Sequence, residues 1–253
     1  MAAPIVKEEA KLDGKPSDTL SAMAVVRPRA ARRRLCAAAV MLVAVGLLLL
    51  AVPRTMGALI CARCDFTLRK LQGQEVVASP ELRALADSLA SGRWWLASGR
   101  LRTDLGLAYL LLAEDRSGDA AASREYREQA VAALREGVAY GPANPYAWAR
   151  LAYAEATSGT WSQAAVSALR MALMTAPYEP PLLWSRLRMS FLAWPEMAPG
   201  DRELVFQQIR DAWQADPAAL ATLAVEFKRV NLVRAALLQT PEDGLAFEKI
   251  LKR

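Results

Sequence analysis

Residues Leu35–Val52 form an unbroken apolar block, LCAAAVMLVAVGLLLLAV, with no charge and no strong hydrogen-bonding side chain. At about 1.5 Å of rise per residue, a helix over this block is roughly 27 Å long, close to the hydrocarbon thickness of a bilayer. A buried helix in a water-soluble domain seldom runs so far without a polar residue. The block therefore predicts a transmembrane helix over 35–53, ended by Pro53 and Arg54. A cleaved signal peptide would need all of residues 1–34 as its charged leader, acids included, and an apolar core longer than usual. The residues before Cys61 (Ala58, Leu59, Ile60) lack the small residue that precedes a lipoprotein cysteine. An uncleaved anchor is the better reading.

The charge distribution orients this anchor. The chain carries +6, of which residues 1–54 hold +5 through Lys7, Lys11, Lys15, Arg27, Arg29, Arg32, Arg33, Arg34 and Arg54 against Glu8, Glu9, Asp13 and Asp18. Five of these arginines crowd the N-terminal edge of the block and Arg54 alone sits at its other edge. The positive-inside rule then places the tail in the cytoplasm and the rest of the chain across the membrane. Residues 1–34 mix charge, Pro, Ser and Ala without apolar periodicity and are expected to be a disordered basic tail. Residues 55–253 are close to neutral, so the chain lacks the positive stripe of a nucleic-acid binder on its folded part.

The sequence has no histidine, which removes Ser-His-Asp and Cys-His nucleophiles and the commonest metal ligand. Beyond residue 80 the periodicity is helical. Tyr126, Ala130, Leu134 and Val138 recur four apart, and Trp161, Ala165, Ala168, Leu169, Ala172 and Leu173 form a stripe. Pro and Gly punctuate these runs, and the fold class expected is all-α.

Three segments share one register: LREGVAYGPANPYAW from Leu134, LRMALMTAPYEPPLLW from Leu169 and IRDAWQADPAALATL from Ile209. Each has an arginine (Arg135, Arg170, Arg210) followed seven positions later by a proline (Pro142, Pro177, Pro217), and in the first two a further proline follows at Pro145 and Pro180. The pattern is that of a helix that ends, a proline that prevents its continuation, and a new helix returning alongside. The prolines are 35 and 40 residues apart, close to the 34 of tetratricopeptide repeats.

In the clearest unit, PYAWARLA from Pro145, residues Trp148, Leu151 and Ala152 occupy the W-x2-L-G positions, and Ala164 falls at the small-residue position of the second helix. The chain thus resembles tetratricopeptide proteins over roughly residues 101–230. It departs from their pattern at Glu155 and Ala168, where aromatics are usual, and in the stretched loop Trp194–Gly200. The resemblance implies an α-solenoid of helical hairpins, with the repeat domain at 80–253 and a last helix near 241–251 closing the stack. A juxtamembrane linker is expected at 54–79, with residues 65–95 open between a linker, a juxtamembrane helix and a degenerate first hairpin.

Two groups of residues are candidates for special roles. Cys61 and Cys64 form a C-x-x-C just past the membrane block, where an oxidising compartment permits a disulfide. Inert thiols and an inter-chain bridge are the alternatives; redox catalysis and zinc lack the surrounding motif. Of the tryptophans, Trp148, Trp161, Trp184 and Trp213 lie on apolar stripes and are expected in the core. Trp94, Trp95 and Trp194 are not explained that way and are candidate contacts with a partner or the membrane surface. Acids such as Glu155, Glu226, Glu242 and Asp243 have no motif around them and read as solvated helix faces.

These features point away from an enzyme and from a cofactor, and toward a membrane-anchored scaffold or assembly factor of a bacterial envelope. Its single pass would lie in the inner membrane and its repeat domain in the periplasm, with envelope proteins as partners. The segment ALRMALMTAPYEPPLLWSRLRMSFLAWPEM resembles small inner-membrane helical-repeat proteins that accompany polysaccharide polymerases and exporters in Gram-negative bacteria. That resemblance implies support of exopolysaccharide or O-antigen synthesis or export. An accessory factor for protein secretion or cytochrome assembly is the alternative of similar build. A carboxylate-dependent envelope hydrolase or transferase is the alternative of a different class.

Overall fold

The computed structural model describes residues 27–73, 75–93, 95–156 and 160–252, and at 27–31, 61 and 72 the backbone alone. Every element among the described residues is helical, with no strand. The chain divides into two compact units, one ending at Pro53 and one beginning at Arg54.

The first unit contains the start of α1 (Arg27–Gln72). This helix is long and apolar enough to cross a membrane, and none of its most apolar stretch is covered by protein. Leu35, Leu42 and Leu50 keep 70%, 74% and 70% of their surface exposed. Each Å² of such surface costs about 25 cal/mol in water, so a stretch of this length calls for a non-aqueous surrounding. Residues 1–26 of the expected tail lie outside the described residues, and from Arg27 the backbone is helical.

In the second unit, α1 is helical as far as Gln72 where the sequence suggested a linker over 54–79. The cause is a stripe at helical spacing. Ile60, Cys64, Leu68 and Leu71 pack with α2 (Ser79–Gly92) and α3 (Gly99–Asp115), and Cys64 and Leu68 are buried among Leu82, Leu85, Leu89, Leu101 and Leu105.

α3 and α4 (Ala120–Tyr140) form a tight antiparallel hairpin. The Ser123 hydroxyl at the start of α4 donates to the Ala113 carbonyl at the end of α3 (2.8 Å). At the other end, glycines let the backbones touch. A Cβ on Gly99 would lie 2.9 Å from the Gly137 carbonyl oxygen and 3.0 Å from the Gly141 nitrogen, and one on Gly137 would lie 2.8 Å from Thr103 Oγ1. Only hydrogen fits in those places.

The remaining helices are α5 (Pro145–Ala156), α6 (Gln163–Thr175), α7 (Pro180–Ala193), α8 (Arg202–Ala215), α9 (Pro217–Glu226), α10 (Val230–Ala236) and α11 (Pro241–Leu251). The repeated register has a spatial counterpart. Leu134, Leu169 and Ile209 are all fully buried, and so are the small residues Ala172 and Ala212 three positions on, with Gly137 buried at the matching place. Pro145 and Pro180 open α5 and α7, as suits a residue with no N–H and a fixed φ. Pro217 both follows α8 and opens α9, so the third unit lacks the loop of the first two. Side-chain oxygens of Ser98, Asp119, Asn144, Ser162 and Asp216 accept from the first free amides of α3, α4, α5, α6 and α9.

From α2 to α7 each helix packs chiefly on its neighbours in sequence, and α3 also touches α5, α5 touches α7 and α6 touches α8; towards the end of the chain α10 packs chiefly on α8 and α11 on α9. The Trp194–Gly200 loop contains two short 3-10 turns, Trp194–Glu196 and Pro199–Asp201, tied back to α6 by Arg170 to Asp201 (3.0 Å). Arg186 on α7 is wholly buried. Its guanidinium donates to the carbonyls of Ala172 (3.0 Å) and Ala176 (2.6 Å), while Gln208 of α8 donates to Pro177 (2.6 Å). A cation thus sits at the negative end of α6 and satisfies its orphan carbonyls.

α9 ends in a Schellman turn, with Arg229 N–H on the Ala224 carbonyl (2.7 Å) and Lys228 N–H on Val225 (3.1 Å). Lys228 takes the left-handed conformation (φ 55°) that glycine usually fills. Gly99→Ala and Gly137→Ala are each expected to destabilise the chain by about 1–3 kcal/mol, because the clash outweighs the gain in helix propensity. Gly118→Ala, which meets nothing within 4 Å, should change stability by less than about 0.5 kcal/mol. Lys228→Gly should stabilise by about 1 kcal/mol. Denaturant unfolding followed by circular dichroism measures all four.

Candidate binding groove

The second unit has a groove of about 520 Å³ walled by α3, α5 and α7. α3 supplies Leu107, Leu110, Leu111 and Glu114, spaced so that they share one helix face. α5 supplies Ala149, Arg150, Tyr153 and Ala156, and α7 supplies Leu182, Ser185, Arg188, Met189 and Leu192. Trp161, before α6, and Phe227, after α9, complete the lining.

α3 and α7 can line a groove because each is apolar on more than one side. In α3, LGLAYLLLA leaves no polar face. Leu105, Ala108 and Leu112 go into the small core, and Leu107 and Leu111 stay half-buried on the groove. In α7, Leu183, Leu187 and Phe191 are buried while Leu192 keeps 51% of its surface. A single buried stripe would have left the opposite face polar.

The polar groups around the groove are mostly engaged. The Tyr153 hydroxyl donates to Glu114 Oε1 (2.9 Å). Burial, and then this bond to a carboxylate, hold the phenol above its usual range. Arg150 reaches Asp104 Oδ1 and the Thr103 carbonyl, both at 3.4 Å, with Arg100 3.7 Å from the same carboxylate. Burial pushes the Asp104 carboxyl up despite the attraction of Arg150 and Arg100, and pulls the Arg150 guanidinium down. Both shifts have the sign of a pair whose loss of water outweighs its mutual attraction. Ser185 donates to the Leu182 carbonyl of its own helix (3.0 Å). Arg188 has no hydrogen-bond or ion-pair partner among the described residues.

Phe227 forms one end of the groove and is held from two sides. Its ring packs tilted on Phe191 at 6.3 Å, and Arg229, delivered by the left-handed Lys228, donates to the Phe191 carbonyl (2.8 Å). Chemically the groove offers an apolar surface with one engaged carboxylate, one engaged cation and one open cation. No group of three or more His, Cys, Asp or Glu side chains gathers to hold a metal among the described residues.

The residues singled out from sequence lie elsewhere. Trp94 is outside the described residues. Trp95, between α2 and α3, keeps 43% exposure. Trp194 sits on its 3-10 turn against Phe206 (5.8 Å) with the Arg202 guanidinium over its ring (5.0 Å). Cys64 is buried in the small core, and the side chain of Cys61, with any Cys61–Cys64 bridge, is outside the described residues. Of the tryptophans expected in the core, Trp213 is buried edge-on to Phe247, while Trp148, Trp161 and Trp184 are half-buried against it. Sequence reasoning did not single out Leu107, Leu111, Arg188 or Leu192. The available signal was the missing polar face of the two helices that carry them.

Comparison of the chain with protein-family models, with curated proteins and with solved structures finds no match.

The Asp104–Arg150 pair gives a pH-dependent test. With its pKa raised on folding, Asp104 adds stability that is fully present below its unfolded value near 4 and is lost as pH rises through the folded value. Arg150→Met removes the largest attraction opposing that rise. It should cost about 2–3 kcal/mol at pH 7, below the roughly 3–5 of a fully buried broken pair because Arg100 remains, and about half as much at pH 4. Equal costs at the two pH values would contradict the assignment.

Proposed function

We propose that the chain is a membrane-anchored, non-enzymatic scaffold or assembly factor of the bacterial envelope, whose hairpins stack as a tetratricopeptide-like solenoid and whose groove holds a polypeptide partner. The observation that carries this reading is the origin of the groove walls. α3, α5 and α7 are alternate helices, and alternate helices of stacked hairpins present one shared surface while the others form the back. The packing of α6 on α8 supports the same arrangement for the second row. The uncovered apolar stretch of α1 serves as the anchor, with the basic tail in the cytoplasm and the repeats in the periplasm. Anchoring raises the effective concentration of the groove near other envelope proteins, which is what an assembly factor needs. The resemblance of residues 168–197 to repeat proteins of polysaccharide synthesis and export favours a partner in that machinery.

A photo-crosslinking residue placed at Leu111 or Leu192 in living cells tests this. Discrete adducts with an envelope protein are expected from both positions and not from Arg124, an exposed residue of α4. Absence of adducts, or the same adducts from Arg124, overturns the scaffold reading. A tag at residue 1 that protease reaches from the periplasm overturns the topology.

A further inference from the structure

We infer that the partner enters the groove as an amphipathic α-helix carrying a carboxylate beside its apolar stripe; this rests on the groove being a polypeptide-binding site. The argument begins with what the lining cannot do. An extended peptide brings an N–H and a C=O for every residue, and each needs a partner once water is displaced. Most side chains that could supply one are already committed within the chain. Glu114 accepts from Tyr153, and that phenol's proton is used in the same bond. Arg150 is directed at Asp104 and the Thr103 carbonyl, and Ser185 at the Leu182 carbonyl. The rest of the lining is Leu, Ala, Met, Trp and Phe with the one exposed guanidinium of Arg188, and a single cation and a single indole N–H make no backbone ladder.

A helix needs no such ladder, because its backbone groups bond to each other. It presents apolar side chains at i, i+3 or i+4, and i+7, which suits a groove floored by side chains spaced the same way on α3 and α7. Met189 adds an adaptable surface within that floor.

Charge settles the second half of the inference. Arg150 is paired with Asp104, and Glu114, bonded to the neutral Tyr153 phenol, keeps its negative charge on the α3 side, whereas Arg188 on α7 is exposed and has no partner among the described residues. The groove therefore presents one open cation beside apolar surface. A carboxylate flanking the partner's stripe complements it, and a basic residue there would be repelled.

The test is a selection of random 16-residue peptides displayed on phage, made on the full chain in lipid nanodiscs. Enriched sequences are expected to carry apolar residues at i, i+3 or i+4, and i+7 together with an Asp or Glu. Their synthetic counterparts should bind about tenfold or more weakly to Leu192→Asp, whose side chain is half exposed and bears little on folding. Arg188→Glu should weaken them about tenfold too, and replacing the peptide carboxylate by Lys should restore binding to that variant alone. Enrichment of proline-rich or alternating sequences, binding retained on Leu192→Asp, no charge preference, or no enrichment at all overturns the inference. So does recovery of a lipid in one-to-one amount with the purified chain, which would make the groove an acyl site. Crosslinks from Leu111 and Leu192 separate the two levels: adducts alongside a failed helix selection leave the scaffold standing with a partner of another shape.

Discussion

A short helix with one apolar face has to be covered, and in this chain the cover comes from the neighbours in sequence. α3 lies on α4, α5 on α6, and each then touches the next helix but one. The prolines make this arrangement local by ending or opening helices where the chain must turn. Pro142 and Pro145 bracket one connection, Pro177 and Pro180 the next, and Pro217 alone serves the third. Close approach decides how tightly neighbours cover each other. At Gly99 and Gly137 the backbones of α3 and α4 touch, so the apolar residues further along both helices meet with little room between them.

The same accounting of cover explains the two surfaces that the core leaves over. The start of α1 has apolar side chains all round with no protein on them, and it is long and apolar enough to cross a membrane. α3 and α7 have a second apolar side that their hairpin partners do not reach, and the groove is where those sides face one another across α5. Both surfaces are apolar area without cover, but they differ in form. One is convex, on a helix long and apolar enough to cross a membrane. The other is concave and rimmed by charge.

Much of this was legible in the sequence. The all-helical class, the apolar block and the closing helix, observed at Pro241–Leu251, follow from periodicity and from the placing of proline and glycine. The helix between Arg54 and Gln72 was not, because Arg63, Arg69 and Lys70 interrupt a stripe whose members, Ile60, Cys64, Leu68 and Leu71, are modest in number. The arginines that mark the repeat are surface residues in ion pairs: Arg135 with Glu155, Arg170 with Asp201, Arg210 with Glu203. The structurally decisive one, Arg186, has the same look in sequence as any exposed arginine on a helix. Its burial depends on the end of α6 lying beside it, which no local pattern encodes. The groove was hidden for a related reason. A residue such as Leu192 differs from a core leucine only in which side of α7 it occupies.

One strained residue, Lys228, and one partly buried ion pair, Asp104–Arg150, lie beside residues that line the groove, and that placement has a physical logic. Lys228 holds a left-handed conformation that costs about 1 kcal/mol or more, and what it secures is the position of Arg229 on the Phe191 carbonyl and of Phe227 at the groove end. The Asp104–Arg150 pair loses more from dehydration than its attraction returns, yet it fixes the rotamer of an arginine that lines the groove between α3 and α5. Glycine at position 228, or an apolar pair in place of both Asp104 and Arg150, would give a more stable chain with a less defined wall. The proposed partner-binding role would give the groove reason to hold one shape and so to keep both features, whereas a chain that only had to stay folded would not.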